Sequence, residues 1–183
     1  MTTFPSDIGA TQVVQYANDI FDRYKGAKEL DDFDANFSDI DYRIKHLEKM
    51  IFHTATDIKN HVLATLDDHF LAEMNRIYCF WETAMERKFV GSILEEGTCE
   101  LENYPLYQRF ERLLRRETSM IKSDRTKKAL FIGSGPVPVS ALWYHHFTGM
   151  PMDCFDIDER AVGLSKILLK SLGLERKIQA FHQ

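Results

Sequence analysis

The first two thirds of the chain repeat one pattern, apolar residues recurring three and four positions apart, which places them on one face of an α-helix. Over 11–24 the stripe is Val13, Val14, Tyr16, Ala17, Ile20 and Phe21, and it ends near Gly26. Over 41–53 it is Ile44, Leu47, Met50 and Ile51, and over 57–70 it is Ile58, Val62, Leu63, Leu66 and Phe70. A long helix at 71–93 is rich in aromatics, with Tyr78, Phe80, Trp81 and Phe89. Gly97 and the Tyr104-Pro105 pair signal a loop, after which 106–121 resumes as a helix. The interval 28–39 carries Asp31, Asp32, Asp34 and Asp39 and reads as a solvated connection whose spacing matches no calcium loop.

A polar, mostly basic joint follows at 122–128, and beyond it the period changes. Strands at 129–133, 152–157 and 177–181 alternate with helices at about 137–147 and 159–172, the order of a parallel α/β sheet. The apolar run Ala129-Leu130-Phe131-Ile132 suits a strand buried on both faces. The expected fold class is α/β with an all-α N-terminal domain. A helical domain over 1–122 precedes the first part of a Rossmann-like sheet, of the class I methyltransferase type, over 123–183. A doubly wound sheet normally continues past a third strand, so the chain reads as a piece of a longer protein.

Composition narrows the partners. The net charge of −5 argues against a broad nucleic-acid surface, and no apolar run approaches membrane-spanning length. Residues 1–7 show no basic n-region followed by an apolar stretch, so no export signal is expected. Cys79, Cys99 and Cys154 share no close spacing; neither a zinc site nor a disulfide framework follows, and buried or half-buried free thiols in a reducing, cytoplasmic setting are expected.

The candidate chemistry lies at the change of period. Gly133-Ser134-Gly135-Pro136-Val137-Pro138 sits between the first strand and the following helix. Gly133 and Gly135 allow a tight turn and close approach of a ligand, and a proline is tolerated in the first helical turn, where no N–H is needed. Asp156 closes the second strand about 20 positions further on, where a carboxylate can accept from a ribose diol. Asp158 suits the N-cap of the next helix. The third glycine of the dinucleotide fingerprint is missing, which disfavours a pyrophosphate and favours a nucleoside ligand such as S-adenosylmethionine. Candidate binding residues are Gly133, Ser134, Gly135, Pro136, Asp156 and Ile157.

Phe131-Ile132-Gly133-Ser134-Gly135-Pro136-Val137-Pro138-Val139 with Phe155-Asp156-Ile157-Asp158 resembles the nicotianamine synthases and their bacterial relatives of the staphylopine, pseudopaline and yersinopine pathways. Glu82-Thr83-Ala84-Met85-Glu86-Arg87-Lys88-Phe89 is similar to the family's Glu-Gly-x-x-Glu-x-x-Tyr helix, and Tyr104-Pro105-Leu106-Tyr107 to its Pro-Tyr-Tyr segment, with Leu106 in place of the first tyrosine. The resemblance implies transfer of the 3-amino-3-carboxypropyl (aminobutyrate) arm of S-adenosylmethionine to an amine, histidine in the bacterial branch, with release of methylthioadenosine for opine metallophore biosynthesis. It implies Glu82 as base or amine anchor, Tyr107 as the tyrosine retained, no protein metal site, a homodimer and a downstream opine dehydrogenase. The alternatives are an S-adenosylmethionine-dependent methyltransferase and a helical interaction module beside a degenerate scaffold. The 183-residue chain by itself is expected to be inactive.

Overall fold

The computed structural model describes residues 9–97, 100–121 and 127–183. Residues 1–7, Cys99 and most of the 122–128 joint lie outside the described residues. By its contacts the chain divides into two compact units, Met1–Ala84 and Met85–Gln183.

The first unit is helical: α1 (Ala10–Tyr24), α2 (Leu30–Ala35), α3 (Phe37–His53), α4 (Thr56–Thr65) and the start of α5 (Asp68–Glu96). Its core is the periodic stripe, with Val13, Ala17 and Ile20 of α1 against Ile40, Ile44, Leu47 and Met50 of α3. Two expectations change here. The interval 28–39 is a short helix and the start of another, not an open connection. Asp31 and Asp32 fall in the first turn of α2, where the helix dipole favours them, and Phe33 is fully buried. The Phe33 ring stacks on Tyr24 and Phe80 at 5.8 and 5.1 Å. Asp39 accepts from the Tyr24 hydroxyl and from Arg43 Nε, and these bonds, Tyr24's foremost, hold its carboxyl below the usual range. The helix read over 57–70 is two helices, because Leu66 is extended and Asp67 Oδ1 accepts from Phe70 N at 2.7 Å, opening α5.

The second unit holds the rest of α5, a 3₁₀ turn at Leu101–Asn103, α6 (Tyr107–Ser119), β1 (Ala129–Ile132), α7 (Val139–Thr148), β2 (Met152–Asp156), α8 (Glu159–Ser171) and β3 (Ile178–His182). The three strands are parallel in the order β1-β2-β3, with Phe131 beside Cys154 and Cys154 beside Ala180. Two successive right-handed crossovers moving one way across a sheet put both helices on one face. That face is closed: Met152, Cys154 and Ile178 are 0% exposed. The other face is not, contrary to the double burial read from the apolar run. Leu130, Ile132 and Phe181 are 59%, 82% and 38% exposed. Phe155 and Phe181 stack there at 5.1 Å.

The division between units falls inside α5 instead of at the 122/123 joint suggested by composition. The reason is α6, which lies on α7 and so joins the α/β unit despite its helical period.

Candidate functional site

β1 ends at Ile132, and the chain then turns through Gly133 and Gly135, with φ of +70° and +68°. This left-handed region is costly for residues with a Cβ, which explains both glycines. Gly133 and Ser134 donate to the Phe155 carbonyl at 2.8 and 3.2 Å, carrying the β1–β2 ladder into the loop. Pro138 is the N-cap of α7, which begins at Val139, two positions later than the helix start expected from the sequence.

Pro136 and Pro138 have no N–H, so the stretch from Gly135 to Pro138 offers only two amides. An acidic side chain takes each. Gly135 N donates to Asp156 Oδ2 at 2.8 Å, and Val137 N donates to Glu86 Oε2 at 3.4 Å. A glycine turn before a helix is ordinarily an anion cradle. Here its donors already face two acids, and a phosphate would meet them at close range. The chemistry of this loop suits a ligand that is neutral or positive where it approaches.

Asp156 joins two loops. Its Oδ2 holds the Gly135 amide and its Oδ1 accepts from Asp158 N at 2.9 Å. A carboxylate oxygen has two acceptor positions, so each keeps one for a hydroxyl. Asp158 caps α8, as expected, its Oδ1 accepting from Arg160 N at 2.9 Å. Its Oδ2 faces Arg87 Nη2 at 3.4 Å.

Glu86, which the sequence offers only as the second acid of the segment similar to the family's Glu-Gly-x-x-Glu-x-x-Tyr helix, is the largest addition the structure makes. It is 7% exposed; its Oε1 accepts from the Tyr104 hydroxyl at 3.1 Å, and Tyr104 is 1% exposed with its ring against Phe89 at 5.4 Å. A Cβ placed on Gly135 would lie 2.7 Å from Glu86 Oε2. The signal was present in the spacing: Glu86, Val90 and Ile93 fall at i, i+4 and i+7, and all three are buried. An acid on a buried stripe needs partners, and Tyr104 and Val137 are two of them.

Gly133, Ser134, Gly135, Pro136, Asp156 and Ile157 are thus together at the C-terminal ends of β1 and β2, where open α/β sheets bind ligands. Ile157 presents an 84% exposed side chain there. Tyr107 opens α6 and packs its ring on Trp143 at 4.7 Å; burial, then Glu102 and Glu111, raise its hydroxyl pKa. The phenol that reaches the loop's acid is Tyr104. Glu82 belongs to the other compact unit; it is half-buried on α5, one helical turn before Glu86. Among the described residues no group of three or more His, Cys, Asp or Glu could hold a metal ion.

The fold and the loop define the first part of a Rossmann-like parallel sheet with a glycine turn at its C-terminal edge, preceded in the chain by a helical unit. The family model described as nicotianamine synthase protein matches residues 9–182, and the chain belongs to that family. An L-histidine 2-aminobutanoyltransferase of Pseudomonas aeruginosa is 36% identical over 92 residues, 50% of this chain and 28% of that protein. One of Yersinia pestis is 34% identical over 70 residues, 38% of this chain and 26% of that protein. A crystal structure of a glutamate-to-glutamine mutant of MtNAS in complex with S-adenosylmethionine superposes with a TM-score of 0.70 at 20% identity, covering 92% of this chain and 64% of that one. MtNAS in complex with MTA and tNA gives 0.69 at 17% identity, covering 94% and 65%. These structures share the fold. The chain spans just under two thirds of their length, and its match covers little more than a quarter of the curated relatives.

Proposed function

We propose that the protein of which this chain is part transfers the aminobutyrate arm of S-adenosylmethionine to an amine, with histidine as acceptor, and releases methylthioadenosine. The observation that carries this reading is the acid-clad loop: both free amides between Gly135 and Pro138 face carboxyl groups. Such a loop tolerates a sulfonium and an ammonium and rejects a pyrophosphate. Membership of the family and the S-adenosylmethionine-bound structure that shares the fold support the donor, and the histidine aminobutanoyltransferases among the bacterial relatives support the acceptor.

In this reading Asp156 uses its remaining acceptor positions for the ribose diol, with Gly133, Ser134, Gly135 and Pro136 shaping the turn beneath the ligand and Ile157 offering apolar surface beside it. The acceptor nitrogen attacks the terminal CH2 of the aminobutyrate arm, the bond from that carbon to sulfur breaks, and its electron pair returns to sulfur as the neutral thioether. The amine sheds one proton, which Glu82 takes as general base; Tyr107 orients the acceptor. The transferase acts as a homodimer in the cytoplasm, and an opine dehydrogenase consumes its product.

Incubation of the full-length protein with S-adenosylmethionine and histidine tests this. The expected products are methylthioadenosine and a histidine adduct in equal amounts, lost together in Glu82→Gln. Formation of S-adenosylhomocysteine instead means methyl transfer and ends the reading.

A further inference from the structure

The two loops at the ends of β1 and β2 are tied to each other twice. One tie is Asp156, which holds Gly135 N with one oxygen and Asp158 N with the other. The second comes from the Met85–Gln183 unit's portion of α5. Glu86 reaches the first loop at Val137 N, and the next residue, Arg87, reaches the second loop at Asp158 Oδ2. Consecutive helical residues point about 100° apart, so one dipeptide can address two different loops. The Tyr104 hydroxyl holds Glu86 in place from the other side. The Arg87 side chain is 17% exposed and that of Asp158 39%, so the pair is partly shielded from water.

We infer that Glu86 and Arg87 are positioning residues: they fix the separation of the two loops and hence the width of the slot the adenosyl ligand enters. This rests on the reading that these loops hold S-adenosylmethionine. Neither residue needs to touch the ligand. Asp158 offers a clean probe, because its Oδ1 caps α8 while its Oδ2 faces Arg87, and asparagine caps a helix as well as aspartate does.

The test uses the full-length protein and four variants, Asp158→Asn, Arg87→Met, Arg87→Lys and Glu86→Gln, together with the Asp158→Asn/Arg87→Met double variant. Affinity for methylthioadenosine is read by calorimetry, and KM for S-adenosylmethionine and kcat by methylthioadenosine release with saturating histidine. Asp158→Asn and Arg87→Met should each weaken affinity and raise KM about two- to fivefold, with kcat unchanged, the range for one partly shielded ion pair. The double variant should be no worse than either single one, because both remove the same interaction. Arg87→Lys keeps the charge and should recover most of the loss; Glu86→Gln should resemble Arg87→Met. Effects that multiply in the double variant, or KM and affinity unchanged throughout, overturn the inference while leaving the functional reading intact. A wild-type protein that neither binds methylthioadenosine nor releases it overturns both.

Discussion

Replacing Gly135 with alanine isolates the contact on which the loop depends. Two costs are expected. Alanine at φ +68° pays for the left-handed backbone, about 1 kcal/mol. Its Cβ would also stand 2.7 Å from Glu86 Oε2, closer than the two atoms can coexist, so the acid must withdraw. Glu86 is 7% exposed and pinned by Tyr104, so withdrawal breaks the bond from Val137 N and leaves a buried donor without it, about 1–3 kcal/mol more. The sum for Gly135→Ala is about 2–4 kcal/mol. Gly133→Ala is the internal control: its φ is +70° but no atom lies within 4 Å of the added Cβ, so only the backbone cost remains. Native-state hydrogen exchange of α7 and α8 reports the stability of this unit directly. Gly135→Ala should lower it by at least about 1 kcal/mol more than Gly133→Ala, and should lose methylthioadenosine affinity further. Equal effects for the two variants would show that Glu86 swings away at no cost and does not hold the loop.

Tyr104→Phe keeps the ring beside Phe89 but removes the donor to Glu86, and should cost about 1–3 kcal/mol by urea unfolding. Tyr107→Phe keeps the ring on Trp143 and should leave unfolding unchanged; a fall in its kcat without loss of stability would support the catalytic role proposed for that hydroxyl. Burial pushes the Cys154 thiol up to about 12, so a disulfide reagent at pH 8 should label exposed Cys79 and reach Cys154 only on unfolding. Because the folded Cys154 value lies above the unfolded 9.0, its contribution to stability is complete below pH 9 and is lost as pH rises through the folded value, an alkaline loss that Cys154→Ala should reduce. Asp39 has the opposite sign. Its folded value lies below 3.8, so its contribution is present above that pH and disappears as the solution is acidified, and Asp39→Asn should flatten that acid limb.

The change from period 3.6 to alternating strand and helix was legible, as was the loop with its acidic strand end, because both are local patterns. What the sequence hid depends on neighbours far along the chain. Phe33 looked like part of an acidic connection because four aspartates surround it within 28–39, yet Tyr24 and Phe80 close over it. α6 looked like the last helix of the N-terminal domain, and its contact with α7 assigns it to the α/β unit. Ala129–Ile132 satisfies the rule for a doubly buried strand, but among the described residues Leu130 and Ile132 lie on its open face. Glu86 shared its helical face with Val90 and Ile93, but nothing local says that an acid there will meet Val137, 51 positions away. Tyr104 and Tyr107 sit three residues apart around a proline, and composition could not tell which would face an acid and which a tryptophan.

The open sheet face gives salt two opposed actions on this unit. Added electrolyte screens Arg87 from Asp158 and loosens that link. Ions excluded from protein surfaces, such as sulfate, instead strengthen every contact that Leu130, Ile132, Phe155 and Phe181 can make with other apolar surface. For this 183-residue chain the choice of buffer salt therefore weighs the Arg87–Asp158 link against the contacts of the exposed sheet face.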